Sequence, residues 1–227
     1  MTSPVIVALD LEHTLAIDLA KKLDPENCRL KVGSQLFTSA GPKVIEELST
    51  LGFDIFLDLK FHDIPNTVAQ SVKAASNLGV WMLNVHASGG SIMMNAAKEA
   101  TAELLEPPLI IGVTMLTSLS EEDVNEIGIQ DISNQALSLA SLAKKNSLDG
   151  VVCSVNEVRR IKELLGKDFL TVTPGIRSSD SLKDDQSRVS TARNAIENGS
   201  DYLVIGRPIT QSDNPMNSLD SIIKEIS

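Results

Sequence analysis

The stretch Phe56–Val68, FLDLKFHDIPNTV, contains both kinds of element from which the whole chain is built. An apolar run ends in charged residues, and a proline and a helical segment follow it. Asp58 and Lys60 are two residues apart, so on a strand their side chains would point to the same side. Charges at the end of a buried strand are costly unless they pair with each other or with a ligand. Taken alone, the motif fits either a structural ion pair or a catalytic device.

Short apolar runs of this kind recur along the chain, and amphipathic segments lie between them. The runs are rich in Val, Ile and Leu and rarely alternate with polar residues, which is typical of parallel strands buried on both faces. The predicted strands are Val5–Leu9, Arg29–Val32, Ile55–Leu59, Met82–Val85, Leu109–Val113, Gly150–Cys153, Leu170–Val172 and Tyr202–Ile205. The predicted helices are Pro42–Leu51, Thr67–Leu78, Gly90–Leu104, Asp131–Lys145, Asn156–Leu165, Thr191–Asn198 and a closing segment, Asp220–Ser227.

Eight strand–helix units in 227 residues predict an α/β protein with a single (β/α)8 barrel domain over residues 1–227. The alternative is an open, doubly wound sheet. Its dinucleotide-binding form needs a G-x-G-x-x-G turn after the first strand, whereas this chain reads ALDLEHT there. The pattern therefore favours the barrel and argues against a nucleotide cofactor.

The amino-acid composition and the net charge exclude several classes of binding partner. The net charge is −10 and the pI is about 4.8, so the chain lacks the broad basic surface that non-specific nucleic-acid binding requires. Cys28 and Cys153 form no CxxC pair, and we expect buried free thiols. The N-terminal stretch has no basic region of the signal-peptide type, and no apolar run approaches the length of a membrane span. We therefore expect a cytoplasmic protein without a membrane or nucleic-acid partner.

Polar and charged residues consistently follow the predicted strands, whereas the opposite strand ends are much less polar. In a (β/α)8 barrel the active site lies at the carboxyl ends of the strands, so this registration indicates an enzyme. The residues at these ends are Asp10, Lys31, Asp58, Lys60, His86, Thr114–Ser118, Thr173–Arg177, Gly206 and Arg207.

The segments after the seventh and eighth strands predict a phosphate site, because (β/α)8 enzymes often hold phosphate there. Gly206 can bring main-chain N–H groups close to an anion, and Arg207 adds a bidentate charge. Arg177 and Gln186 belong to the long segment Pro174–Arg188, which lacks apolar periodicity and could be a lid. The alternative interpretation is that Arg207 is a surface arginine and that the segment Pro174–Arg188 is an ordinary loop.

Histidine offers a weaker signal. His86 at a strand end fits a hydrogen-bonding structural residue as well as an acid or base. No second His, Cys or carboxylate stands at ligand spacing around it, so the sequence predicts no metal site.

Seven segments, taken together, resemble the bacterial type of the orotidine 5′-monophosphate decarboxylase family in order and spacing. They are FLDLKFHDIPNTV, NVHASGG, VTMLTS, GVVCS, TVTPGIR, DDQSRVST and GSDYLVIGRPIT. The resemblance runs from Val5 to Ile209, although Thr191-Ala192 stands where the family often has Thr-Pro. The Asp-x-Lys-x-x-Asp motif alone is shared with related sugar-phosphate decarboxylases and aldolases, whereas HDIPNT, TPGIR and VIGRPIT are narrower.

The resemblance implies conversion of orotidylate to UMP and CO2 in pyrimidine synthesis, with no metal or organic cofactor, by a homodimer with shared active sites. It implies that Lys60 protonates the ring carbon and that Asp58 lies beside the substrate carboxylate. The other residues to which it assigns catalytic or substrate-binding roles are Lys31, Asp10, Thr117, Ser118, Arg177, Gln186, Gly206 and Arg207, with Asp63, Ile64 and Thr67 at the shared site. Asp63 and Thr67 would act from the partner subunit.

Two alternatives remain open at this point. One is an Mg²⁺-dependent phosphosugar decarboxylase or aldolase with the same barrel and the same Asp-x-Lys-x-x-Asp motif. The other is a barrel that binds a phosphate-bearing ligand without catalysis. Retention of both Lys60 and Asp58 argues against the second alternative.

Overall fold

The computed structural model describes residues 3–177 and 189–227. Within these residues, eight parallel strands pair in sequence order and close into a barrel, with the last strand beside the first. The strands are β1 (Val5–Ala8), β2 (Arg29–Gly33), β3 (Ile55–Phe61), β4 (Met82–His86), β5 (Leu109–Val113), β6 (Gly150–Val152), β7 (Leu170–Thr173) and β8 (Tyr202–Ile205). The predicted barrel is confirmed, and each predicted strand overlaps an observed one.

Helices connect the strands around the outside of the barrel. They are α1 (His13–Ala20), α2 (Ser34–Ala40), α3 (Lys43–Thr50), α4 (Pro65–Ser76), α5 (Gly90–Glu99), α6 (Glu121–Glu126), α7 (Ile132–Lys145), α8 (Val155–Leu165), α9 (Ala192–Glu197), α10 (Arg207–Thr210) and α11 (Pro215–Ile226). The helices α1, α2, α6 and α10 are absent from the predicted set. They are short, from four to eight residues, so their apolar periodicity is too brief to recognise.

Two apolar layers form the core. The larger lies between the barrel wall and the helices, and the smaller fills the barrel itself. The buried residues of the inner layer are Ile6, Ala8, Phe56, Met82, Ile111, Val172 and Val204. This packing closes the barrel below its carboxyl end, so the site above has a floor of apolar side chains.

Strand β3 departs from regular geometry next to the site. Leu57 pairs with Leu83 and Phe61 pairs with Val85. Between these two pairs β3 advances by four residues and β4 by only two, so the register of the two strands shifts. Lys60 lies within this irregularity and has a φ of 53°, in the left-handed region that residues other than glycine rarely adopt. Such a conformation costs on the order of 1–3 kcal/mol and persists only where the surroundings hold it.

The amino-terminal ends of the strands carry ion pairs that tie helices to the barrel. Lys98 of α5 contacts Asp149, which also accepts the Ile110 N–H of β5 at 2.7 Å. At a second position Lys162 of α8 lies 2.6 Å from Asp201 Oδ2. Both aspartates directly precede a strand, so each ion pair fixes where that strand begins.

Trp81 and Tyr202 pack around Arg29 at the amino-terminal end of the barrel. The Arg29 guanidinium lies 4.3 Å from the centroid of the Trp81 ring and 5.5 Å from that of Tyr202. The two rings meet edge to face at 5.1 Å. All three residues stand at or just before the start of a strand, so cation–π and aromatic contacts cap the inner core here.

Both cysteines are buried and neither forms a disulfide, as predicted. Burial, together with the nearby negative charge of Asp24, raises the pKa of Cys28 to about 12 despite the opposing effect of Arg29. The thiol is therefore protonated at neutral pH and is a poor nucleophile. In the described part of the chain, no helix combines the length and the apolar character needed to cross a membrane.

Candidate active site

A cavity of about 390 Å³ opens at the carboxyl end of the barrel. Its wall combines charged strand-end residues with apolar residues of the inner barrel. The lining residues are Ala8, Asp10, Lys31, Gly33, Ser34, Phe56, Asp58, Lys60, Val113, Met115, Leu116, Thr117, Val152, Pro174, Gly175, Ile176, Arg177, Val204, Gly206 and Arg207. The cavity lies where a (β/α)8 enzyme binds its substrate.

Four charges of alternating sign run along one wall of this cavity. Lys31 Nζ lies 3.0 Å from Asp10 Oδ1 and 3.2 Å from Asp58 Oδ2, and Lys60 Nζ lies 2.7 Å from Asp58 Oδ1. Asp58 thus bridges two ammonium groups, one on each carboxylate oxygen. The order Asp10, Lys31, Asp58, Lys60 follows the barrel from β1 to β3, so neighbouring strand ends build the row.

Exposure differs along the row of charges. The side chains of Lys31 and Asp58 are 8% and 11% exposed, whereas that of Lys60 is 35% exposed. Burial lowers the pKa of Lys31, but Asp58 and Asp10 oppose this effect and hold that pKa above its ordinary value. Lys31 therefore stays charged inside the wall, and Lys60 presents its ammonium group to the cavity.

Gly33 leaves room for the first pair of this row. A Cβ atom at Gly33 would lie 3.0 Å from Asp10 Oδ1 and 3.1 Å from Lys31 Nζ. Both contacts would be tight, so a side chain here would require the pair to shift by a few tenths of an ångström. The sequence prediction did not include Gly33, although its position at the end of the strand that carries Lys31 could have indicated it.

Asn84 is a second residue that the sequence prediction missed. It is fully buried in β4, where its Nδ2 donates to Asp58 Oδ1 at 2.7 Å. Its Oδ1 accepts the main-chain N–H of Lys60 at 2.8 Å. The signal in the sequence is a single amide within the apolar strand WMLNVH, two residues before His86. Asn84 does not line the cavity as the structure describes it and lies behind the row of charges.

The part of the cavity wall after β7 and β8 contains the predicted phosphate residues. Gly206, Arg207 and Arg177 all line it. The chain after β7 is held at its base, because the Arg177 N–H donates to the Ser190 carbonyl and the Ser190 N–H donates to Gly175. Gln186 lies outside the described residues.

Three predicted residues lie together away from the cavity. Asp63, Ile64 and Thr67 are exposed at the start of α4. The main-chain N–H of Ile64 donates to Asp63 Oδ1 at 2.6 Å. The structure of one chain does not bring them to the row of charges described above. Their predicted contribution across a subunit interface stays a prediction.

Of the two residues predicted to face the substrate from the segment after β5, one lines the cavity and the other does not. Thr117 lines the cavity, whereas Ser118 is exposed and lies outside its lining.

The half-buried His86 ring lies 5.3 Å from that of His62. Burial, followed by the nearby His62 and Lys60, lowers the pKa of His86, so its imidazole is neutral at pH 7. Within residues 3–177 and 189–227, no three His, Cys, Asp or Glu side chains are grouped so that they could hold a metal ion.

Comparison with known proteins decides the family. The family model described as orotidine 5′-phosphate decarboxylase / HUMPS family matches residues 3–222. The chain belongs to this family. A protein from Saccharophagus degradans named orotidine 5′-phosphate decarboxylase is 52% identical to it over 225 residues, covering 98% of this chain and 94% of that protein. A protein of the same name from Chromobacterium violaceum is 54% identical over 228 residues, covering 100% of this chain and 92% of that protein.

Solved structures agree with the family assignment. The crystal structure of orotidine 5′-phosphate decarboxylase from Lactobacillus acidophilus superposes with a TM-score of 0.87 at 42% identity, covering 99% of each chain. The orotidine 5′-phosphate decarboxylase structure from Pyrococcus horikoshii gives a TM-score of 0.81 at 25% identity, covering 98% of each chain. The resemblance predicted from the sequence motifs is therefore confirmed over nearly the whole chain.

Proposed function

We propose that this chain is an orotidine 5′-monophosphate decarboxylase, a carboxy-lyase that converts orotidylate to UMP and CO2 in pyrimidine biosynthesis. Family membership and the names of its relatives support the activity. The observation that carries the proposal is the ammonium group of Lys60 at the cavity wall, 2.7 Å from Asp58 Oδ1. A cation fixed beside a carboxylate in this way can meet a developing carbanion without reorganising.

The substrate would lie across the cavity with its two charged groups at opposite sides. Arg207, Gly206 and Arg177 would bind the phosphate, assisted by Gln186 as the family resemblance implies. Asp10 and Lys31 would hold the ribose hydroxyls, because together they present an acceptor and donors at the cavity wall. Thr117 and Ser118 would face the pyrimidine.

The chemical step follows from the row of charges. As the bond between the ring carbon and the carboxylate breaks, its electron pair stays on the ring carbon and CO2 leaves. Lys60 Nζ donates a proton to that carbon, and the resulting amine regains a proton from water. The negative charge of Asp58 beside the substrate carboxylate would favour loss of CO2, and Lys31 keeps Asp58 in place. Phosphate binding at a distance could supply energy for closing the site.

The proposal includes a homodimer with shared sites. Asp63, Ile64 and Thr67 are exposed at the start of α4, and Ile64 has 66% of its surface exposed. An isoleucine this exposed beside a charged residue suits a surface that a second chain covers. In a two-fold dimer each chain would give the same residues to its partner's site, so Asp63 would extend the alternating charges.

The remaining parts of the proposal rest on the sequence. We propose that residues 1–227 act as one catalytic domain, that the enzyme needs no metal or organic cofactor, and that it works in the cytoplasm without a nucleic-acid or membrane partner. The acidic composition supports the exclusion of nucleic acid.

An ultraviolet assay of orotidylate turnover tests the proposed function. The purified chain should convert orotidylate to UMP, and exhaustive chelation with EDTA should leave the rate unchanged. Loss of activity in EDTA with recovery in Mg²⁺ would indicate a metal-dependent relative. Binding of UMP without any turnover would indicate a non-catalytic binding protein.

A further inference from the structure

Asn84 holds both the main chain that carries Lys60 and the carboxylate that orients it. Its side-chain oxygen accepts the Lys60 N–H at 2.8 Å, and its side-chain nitrogen donates to Asp58 Oδ1 at 2.7 Å. The two partners fix the orientation of the amide, because only an oxygen accepts from an N–H and only the NH2 group donates to a carboxylate. Asn84 is 0% exposed, so water does not compete for either bond.

The backbone at Lys60 needs such support. Its φ of 53° and the shift of register between Leu57 and Phe61 remove this part of β3 from the regular ladder. A left-handed residue in a buried strand persists only where its surroundings hold it. The amide of Asn84 reaches this irregular segment from the neighbouring strand.

Asp58 Oδ1 joins the two halves of this arrangement. It receives both Lys60 Nζ and Asn84 Nδ2, each at 2.7 Å. The ring of contacts therefore runs from the Lys60 main chain through Asn84 and Asp58 back to the Lys60 ammonium group. Such a closed ring leaves the ammonium group little freedom to move relative to the barrel.

We propose that Asn84 is a positioning residue for the decarboxylation, which it serves by fixing the Lys60 ammonium group against the substrate. This inference rests on the proposed function. Asn84 acts through Lys60 and Asp58, since it lies behind the cavity wall rather than on it. Its loss should therefore affect kcat far more than substrate binding, because proton transfer depends steeply on geometry and phosphate binding does not involve Lys60.

Two variants separate the contacts. Asn84→Leu removes both hydrogen bonds at similar volume. Asn84→Asp keeps an acceptor for the Lys60 N–H but replaces the donor to Asp58 with a second carboxyl group. Thr171→Val is the matched control, because Thr171 is also 0% exposed in a strand and its hydroxyl donates to Asp201 Oδ2 at 2.9 Å, at the end of the barrel away from the row of charges.

The wild-type chain is assayed first, so absence of orotidylate turnover there would defeat the proposed function independently of Asn84. With turnover established, Asn84→Leu should lower kcat about 10²-fold, the scale of a displacement of about 1 Å, with UMP affinity within threefold. Thr171→Val should keep kcat within threefold. A kcat for Asn84→Leu within threefold of wild type, or an equal loss of UMP affinity, would overturn the positioning role.

The Asn84→Asp variant gives a readout that a purely structural role would not. Its carboxyl group would face Asp58, with Lys60 and Lys31 as the nearby cations and His86 two residues along β4. Two carboxyl groups sharing a site raise one of their pKa values, and the protonated form can donate to Asp58 again. The ratio of variant to wild-type kcat should therefore rise as pH falls. A ratio independent of pH would contradict the proposal even if Asn84→Leu fails to fold.

Discussion

The two ends of this barrel use lysine–aspartate pairs of nearly the same geometry for different purposes. At the amino-terminal end Lys98 Nζ lies 2.8 Å from Asp149 Oδ2, and at the carboxyl end Lys60 Nζ lies 2.7 Å from Asp58 Oδ1. The lysine side chains are also similarly exposed, at 30% and 35%. Neither residue type, distance nor exposure distinguishes the structural pair from the proposed catalytic one.

The partners of each carboxylate make the distinction. Asp149 accepts a main-chain N–H from the neighbouring strand as well as its lysine, so it joins a helix to the barrel. Asp58 accepts from two ammonium groups and an amide, and it lines a cavity. The first arrangement satisfies the carboxylate within the fold, whereas the second directs a row of charges towards a ligand. Ion pairs in a (β/α)8 barrel are thus interpreted by what else they contact.

The largest expected difference between the two ends concerns activity. Lys60→Ala removes the proton donor and leaves Asp58 with less compensation, so kcat/KM should fall by more than about 10⁴-fold, beyond the usual effect of one acid–base group. Lys98→Ala, the matched change at the other end, should leave kcat/KM of the folded protein within threefold. Steady-state kinetics with circular dichroism checks both. A tenth of wild-type activity in Lys60→Ala would exclude Lys60 as the acid.

Arg207→Ala tests the predicted phosphate residues after β7 and β8. If Arg207 binds the phosphate, kcat/KM for orotidylate should fall about 30- to 1,000-fold, which corresponds to roughly 2–4 kcal/mol. Free guanidinium ion should restore part of this loss. Orotidine, which lacks the phosphate, is the control and should be turned over almost equally by both proteins. Equal damage with both substrates would assign Arg207 a structural role.

Subunit mixing tests whether the row of charges continues across an interface. Lys60→Ala and Asp63→Ala homodimers should each be severely impaired. In a mixed dimer one site carries both changes and the other carries neither. Random exchange makes about half of the dimers mixed, so roughly a quarter of wild-type activity should return. Native mass spectrometry would verify the exchange, and no recovery after verified exchange means that Asp63 does not act across the interface.

The smallest effect on turnover is expected from the amino-terminal end. Asp201 Oδ2 accepts from Lys162 Nζ and the Thr171 N–H at 2.6 Å and from Thr171 Oγ1 at 2.9 Å. Asp201→Asn should lower the free energy of unfolding by about 1–3 kcal/mol, because it weakens charge-assisted bonds in a partly buried group. Urea titration measures this loss, and kcat should stay within threefold. A changed kcat with unchanged stability would contradict the division between the two ends.

The sequence predicted the features that depend on local pattern. Each strand is a short and mainly apolar run, so its position followed from the local sequence pattern. The pairing of Asp58 with Lys60 also followed from their spacing, yet the structure reaches it through an irregular strand with Lys60 in a left-handed conformation. Period-two alternation predicts which side a residue faces, but it does not contain the contact with β4 that holds this conformation.

What the sequence did not predict depends on contacts between distant segments. Asn84 looks like a tolerated amide in a strand until its neighbours on β3 are known. In the sequence Gly33 indicates only the end of a strand. Its role in leaving room follows from the distances that a Cβ atom there would have to Asp10 and Lys31. The roles of Asp63, Ile64 and Thr67 came from family resemblance, because no pattern within one chain indicates what a second chain contributes.

The aromatic group at the base of the barrel makes the two ends optically distinguishable. Trp81 is the only tryptophan and Tyr202 the only tyrosine of the chain, and both contact Arg29 at the end away from the cavity. Intrinsic fluorescence therefore comes from the region in which the strands begin. A ligand entering the carboxyl end should leave this emission nearly unchanged, whereas opening of the barrel should shift it. One tryptophan signal can thus follow unfolding during a titration with nucleotide and separate loss of structure from occupancy of the site.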